Sequence, residues 1–312
     1  MRPRLTFIIG CTCSGKGSLG RELARRIGAE IISADSMKVY RRMDIGTAKP
    51  SADLRREIPH HLIDVVEPSQ TFSVAEYVAR VRELIVNLHR RGKPMLVVGG
   101  TPLYIKAITD GLFEGPGADP QVRVRLREEV ERAGPAALHQ RLRRVDPAAG
   151  ERIHPNDVRR IVRALEVFEV GGRPISDLQV QWERPSSPYD VSLIGLRQER
   201  RDLHHRINER VRRMIAAGLV DEVKSLLSEP EPLSATAGKA LGYAEIIEHL
   251  AGRLSLADAV EMTKINTRKL AKSQRTWFKR FAAAEWVDMG PDADVRGIAD
   301  ELLLHRGHVW SA

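Results

Sequence analysis

Apolar residues along the chain follow two rhythms. Short unbroken runs come at Leu5–Ile9, Ala29–Ala34 (AEIISA), His61–Val66 (HLIDVV), Pro94–Val98 and Val191–Leu196 (VSLIGL). Runs this short and this apolar suit strands buried on both faces. Between them the period becomes that of a helix. Val74, Tyr77, Val78, Val81, Leu84, Ile85 and Leu88 repeat every three or four residues as far as Arg91, behind a Ser73–Glu76 capping box. Ser18–Gly28 reads as a second helix with Gly28 as its stop. Strands alternating with helices predict a parallel, doubly wound sheet. After the last run the chain reads as mostly helical, over Arg200–Ala217, Val220–Leu227, Lys239–Ala251 and Ser255–Ala283.

The turn behind the first run carries chemistry. Gly10–Ser18 reads GCTCSGKGS, and Gly10, Gly15 and Lys16 keep the G-x-x-x-x-G-K spacing of a phosphate-binding loop. Backbone N–H groups of such a turn point inward, the helix N-terminus adds partial positive charge, and the lysine adds a full one. The candidate cradle is Gly10, Cys11, Thr12, Cys13, Ser14, Gly15, Lys16 and Gly17. Its last member departs from the pattern. Gly17 stands where a serine or threonine ordinarily offers its hydroxyl to Mg²⁺, which leaves Ser18 as a substitute metal ligand. The expected fold class is α/β, a P-loop NTPase-like parallel sheet flanked by helices. Such sheets bind ligands beyond the C-terminal ends of their strands, and Gly10–Lys16, Asp35 and Gly99–Thr101 all fall on that edge.

Composition changes around Asp110–Pro120 (DGLFEGPGADP), and a Pro/Ser stretch returns at Arg184–Pro188. The residues between are helical in pattern and rich in arginine. The chain therefore divides into a core of residues 1–118, a helical insertion of residues 119–189, and a second, mostly helical part of the core over residues 190–312. No run of apolar residues is long enough to cross a membrane, and no signal-peptide pattern opens the chain, so the expected location is the cytoplasm. Cys11 and Cys13, the two cysteines, read as small residues that fit a tight loop. A net charge of +9 points to a polyanionic partner. Lys264, Arg268, Lys272, Arg275 and Lys279 sharpen that reading. They share one helical face, and no carboxylate occurs between Glu261 and Glu285.

With Asp35 the pattern becomes specific. Ser33–Tyr40 (SADSMKVY), Gly46–Pro50 (GTAKP), Pro59–Asp64 (PHHLID) and Gly99–Tyr104 (GGTPLY) resemble motifs of the tRNA dimethylallyltransferases, also called tRNA isopentenyltransferases. The likeness continues in Ile153–Glu166 (IHPNDVRRIVRALE), Arg206–Val211 (RINERV), Gly218–Val223 (GLVDEV), Ala240–Tyr243 (ALGY) and Ala271–Arg280 (AKSQRTWFKR). It runs in order over nearly the whole chain and is similar to the shorter, bacterial form without a C-terminal zinc finger. The resemblance implies transfer of a dimethylallyl group from dimethylallyl diphosphate to N6 of adenine 37, in tRNAs reading codons that begin with U. It implies Lys16, Asp35, Thr101 and Arg210 as catalytic residues, with Asp35 taking the proton of the adenine amine and Arg210 helping to hold the diphosphate. For tRNA contact it implies Asp35, Ser36, Met37, Lys38, Thr101, Arg123, Arg159, Arg160, Ile161, Val162, Arg163, Lys239, Gly242 and Tyr243. The insertion would grip the anticodon stem-loop while the base is flipped inward. Mg²⁺ is the implied cofactor, and a monomer the implied state. Lys269, Leu270 and Ser273 depart from the family's late motif, which alters the C-terminal tRNA face modestly.

Three other readings remain open at this level. A small-molecule or nucleotide kinase would use the same loop and carboxylate, with ATP bound, but would want the hydroxyl that Gly17 lacks. An RNA-binding protein with a decayed site would not be expected to keep Lys16, Asp35, Thr101 and Arg210 together. An isopentenyltransferase acting on free adenylate would lack the arginine-rich insertion.

Overall fold

A computed structural model describes residues 2–113, 115–179, 187–305 and 310. Part of the Pro/Ser stretch, residues 184–186, lies outside them. The chain divides into two compact units, Met1–Ile108 with Pro188–Ala312, and Thr109–Ser187.

The first unit is built on a six-stranded sheet: β1 (Arg4–Gly10), β2 (Glu30–Ala34), β3 (His60–His61), β4 (Met95–Gly99), β5 (Asp190–Arg197) and β6 (Glu285–Asp288). All neighbours are parallel and the order is β3-β2-β4-β1-β5-β6. Register pairs Ile8 with Val98 on one side and with Ile194 on the other, so the fully apolar run at Leu5–Ile9 lies mid-sheet. Its helices are α1 (Lys16–Ile27), α2 (Ala52–Glu57), α3 (Val74–Arg90) and α4 (Pro102–Thr109) before the second unit. The second unit contributes α5 (Pro120–Val145, broken at Gly134-Pro135), α6 (Pro147–Arg152), α7 (Val158–Gly171) and α8 (Ile175–Leu178). The chain then returns to the first unit with α9 (Arg200–Ala216), α10 (Leu219–Leu227), α11 (Tyr243–Leu250), α12 (Leu256–Phe278) and α13 (Val295–His305). No helix among the described residues is long and apolar enough to cross a membrane.

Leu19 and Leu23 of α1 pack with Ile8, Ile31, Leu96 and Ile194 of the sheet, and Ala299 and Leu302 of α13 join them. Gly28, in the left-handed region at φ 65°, closes α1 as its sequence indicates. Ser73 and Glu76 form the expected capping box of α3. A second cluster gathers Val39, Tyr40 and Met43 with Leu219, Val223, Tyr243 and Ile246. The helical unit has its own core, including Leu126, Leu138, Leu142, Ile161 and Leu165.

Three expectations are corrected, and two further elements appear. The strand expected over His61–Val66 is reduced to His60–His61, because Leu62 (φ 62°) and Asp64 (φ 57°) turn the chain left-handed. Asp64 serves instead as an anchor: its carboxylate accepts from Lys49 Nζ at 2.6 Å and from Arg55. The helix expected over Lys239–Ala251 begins only at Tyr243, since Gly242 (φ 88°) separates it from a short 3₁₀ turn at Ala237–Lys239. β6 and α13 were not foreseen, because EWVD is only four residues long with an acid at either end. The basic stripe on α12 divides: Lys264 is buried and ion-paired with Glu261, while Lys272, Arg275 and Lys279 are exposed.

Candidate active site

β2, β4 and β1 are adjacent in the sheet, and the loops leaving their C-terminal ends meet. The loop after β1 turns tightly into α1. Side chains are excluded from Gly10, where a Cβ would lie 2.6 Å from Ser14 Oγ, and Gly15 takes φ 90° as the N-cap of α1. Ser14 N donates to Cys11 O at 3.2 Å, and Lys16 Nζ donates to the same carbonyl at 3.0 Å. The lysine is thus folded back over its own loop, with no carboxylate bound to it among the described residues. Burial lowers its pKa, an effect partly opposed by the charge of Asp35.

The loop after β4 is pressed against this one. A Cβ on Gly100 would lie 2.9 Å from Gln274 Nε2, 3.2 Å from Gly10 O and 3.3 Å from Lys16 Cε, so a side chain there would crowd all three. Gln274, on α12, locks the two loops together. Its Oε1 accepts from Thr12 N at 2.8 Å and its Nε2 donates to Gly100 O at 2.6 Å. From α9, Arg210 Nη1 donates to Thr12 Oγ1 at 3.3 Å and lies 4.0 Å from Cys13 Sγ. Cys11 is buried, which raises its thiol pKa and keeps it protonated and unreactive.

Beyond β2, Asp35 Oδ1 accepts from Met37 N at 3.0 Å, an arrangement that fixes the carboxylate at the start of the loop. Thr101 ties this loop to the one after β4: its Oγ1 accepts from Ser36 N at 3.1 Å, and its N–H donates to Ala34 O. Below them Tyr77 stacks on Tyr104 at 3.8 Å and donates to Ser33 O at 3.1 Å. Lys38 completes the group. Burial pushes its pKa down to about 8; Asp35 resists the shift, and Lys16, Arg210 and Arg21 add to it. Lys16, Asp35, Thr101 and Arg210 are therefore brought together. Among the described residues the gathering is cationic around one carboxylate, Asp35, an arrangement that suits a polyphosphate.

A P-loop metal site does not fit these residues. No hydroxyl follows Lys16, and Ser18 is exposed, with its Oγ accepting weakly from Arg21 Nη2 at 3.5 Å. No cluster of three histidine, cysteine or acidic side chains suits a metal among the described residues.

The family model described as IPP transferase matches residues 38–281. The chain belongs to the IPP transferase family. It is 48% identical to the tRNA dimethylallyltransferase of Geobacter metallireducens over 92% of this chain and 93% of that one. It is 47% identical to the enzyme of the same name from Geobacter sulfurreducens, over 94% of each chain. Among solved structures, the tRNA isopentenylpyrophosphate transferase of Bacillus halodurans shares 39% identity and a TM-score of 0.73, covering 99% of this chain and 97% of that one. A eukaryotic dimethylallyltransferase acting on tRNA shares the fold at a TM-score of 0.82 and 24% identity, over 98% of this chain and 79% of that one.

In this IPP transferase the candidate tRNA residues fall into distinct environments. Ile161, Val162 and Tyr243 are buried, their side chains forming core. The Tyr243 ring covers Gly46, where a Cβ would lie 2.3 Å from it, and its hydroxyl donates to Glu222 at 2.5 Å. Glu222 also accepts from the N–H groups of Asp44, Ile45 and Gly46, so the GLVDEV, GTAKP and ALGY motifs build one scaffold. Gly242 is buried beside them, while Lys239 is exposed. In the helical unit Arg123 and Arg163 both pair with the fully buried Glu166, at 2.8 and 2.7 Å, and Arg160 pairs with Asp157 at 3.1 Å. Arg159 is exposed. Gln274 and Glu222 support the site in a way their motifs alone do not reveal. Each lies in a quoted motif, and the signal was there to use: Gln274 is an uncharged amide in a basic helix.

Proposed function

We propose that this IPP transferase moves a dimethylallyl group from dimethylallyl diphosphate to N6 of adenine 37 in tRNA, releasing diphosphate. The observation that carries the reading is the meeting of Lys16, Arg210 and Lys38 with Asp35 and Thr101 at one strand edge. The names of the relatives agree with it. As the allylic C–O bond breaks, negative charge grows on the diphosphate, and cations already fixed there need no reorganisation to stabilise it. The adenine nitrogen forms the new C–N bond, and its proton leaves to Asp35, whose orientation is set by the Met37 N–H. Thr101 orients the nucleotide beside the departing diphosphate. The helical unit, with Arg159 exposed, supports contact to the anticodon stem-loop, and the enzyme acts as a monomer. Magnesium, which the resemblance implies, is assigned no protein ligand, and no step passes through it.

The test is transfer of labelled dimethylallyl from its diphosphate to an unmodified anticodon stem-loop carrying A36-A37-A38, with an ATP-only reaction alongside. Label should appear on A37 and fall at least about 100-fold in Asp35→Asn, while diphosphate affinity stays within about twofold. Absence of label together with turnover of ATP would establish the kinase reading instead.

A further inference from the structure

Gly17 leaves more than a missing hydroxyl. A Cβ built there would lie 3.3 Å from Arg21 Nη1, so the guanidinium occupies the space into which a serine or threonine would project. Residues four apart share a helix face, and helical side chains lean back toward the N-terminus. Arg21 is thereby directed back toward the N-terminal end of α1, the end of a helix that favours anions.

Its partners set it apart from the other arginines of α1. Arg25 pairs with Glu22 and Glu57, and Arg26 pairs with Glu22 and Asp300. Arg21 has no carboxylate partner among the described residues; its one hydrogen bond is the 3.5 Å contact to Ser18 Oγ. It is nonetheless partly buried, and burial lowers its pKa. A half-buried guanidinium without a counter-ion is costly until an anion arrives. Its charge, with those of Lys16 and Arg210, lowers the pKa of Lys38, while Asp35 raises it.

We propose that Arg21 binds the diphosphate of the prenyl donor and takes over charge neutralisation that a metal on the P-loop hydroxyl would otherwise provide. The inference rests on the function proposed above. Its planar fork suits two phosphate oxygens at once, which a lysine cannot match. Gly17 is the enabling change, because a branched side chain there would displace the guanidinium.

The test is equilibrium binding of inorganic diphosphate to the full chain, with EDTA and with saturating Mg²⁺. Wild type should bind in EDTA within about fivefold of its affinity in Mg²⁺. Arg21→Gln should lose about tenfold or more in EDTA and much less in Mg²⁺, with an unchanged melting temperature. Arg21→Lys should recover only part of the loss. Gly17→Thr should also weaken binding in EDTA while increasing the gain from Mg²⁺. Equal affinities of wild type and Arg21→Gln in EDTA would overturn the role of Arg21 and leave the proposed reaction standing. So would a loss confined to tRNA binding. Failure of wild type to bind diphosphate under either condition would overturn both.

Discussion

The helical unit and the P-loop site of this chain use basic side chains in opposite ways. In the helical unit five guanidiniums are committed: Arg123 and Arg163 to Glu166, Arg125 and Arg141 to Glu169, Arg160 to Asp157. At the P-loop, Lys16 bonds a carbonyl, Arg210 a hydroxyl and Arg21 a distant hydroxyl. Both regions are rich in basic residues, but over residues 109–187 the sequence sets 13 carboxylates against 13 arginines. What separates them is compensation. A cation already paired with a carboxylate holds the fold, whereas one buried without a carboxylate stores a demand for an anion. The chain's net charge of +9 does not show where the uncompensated cations lie.

Removing a committed carboxylate should give the largest effect. Burial pushes the Glu166 carboxyl up, but Arg123, Arg163 and the Asp119 N–H outweigh it and hold the pKa below its ordinary value. Glu166→Gln should therefore destabilise the helical unit by about 3 kcal/mol, at the low end for a buried pair because both arginines keep some contact with water. Chemical unfolding would read it. A loss below about 0.5 kcal/mol would mean the pairs are surface-like and the contrast between the two regions is overstated.

A smaller effect should distinguish two arginines of α7. Arg159→Ala should leave stability unchanged and reduce the salt dependence of tRNA binding by about one phosphate contact. Arg163→Ala should do the reverse, lowering the melting temperature with little change in salt slope, since its guanidinium is held by Glu166 and by Pro116 O at 2.9 Å. Identical salt slopes for the two variants would remove the distinction.

Much of this was legible beforehand. Periodicity placed β1, β2, β4, β5 and α3 to within a residue or two, because buried parallel strands and amphipathic helices write themselves into apolar spacing. The P-loop was legible because its glycines answer to close backbone approach. Other features were not, for physical reasons. The HLIDVV run looks like a strand, yet two left-handed residues and the Lys49–Asp64 pair, both long-range choices, turn it into a loop. The stripe on α12 kept its helical spacing but not its exposure, since the burial of Lys264 depends on how α12 packs, not on its own sequence. The role of Tyr243 likewise depended on Gly46 and Glu222, far away in the chain.

The central claim is that the P-loop cations wait unpaired for a diphosphate. Lys38 reports on it, with a pKa of about 8 set by burial and by the opposing fields of Asp35 on one hand and Lys16, Arg210 and Arg21 on the other. A bound anion would raise that pKa, so binding takes up a proton, and affinity must fall as pH rises through about 8, by up to tenfold per unit. Calorimetric titration of diphosphate at pH 7 to 9, in buffers of different ionisation enthalpy, measures the uptake directly, and Lys38→Met corrects for the ligand's own ionisation. The account predicts net uptake in wild type that is larger at pH 8 than at pH 7 and is lost in the variant. Equal proton uptake in wild type and Lys38→Met, with parallel affinity profiles, would contradict it.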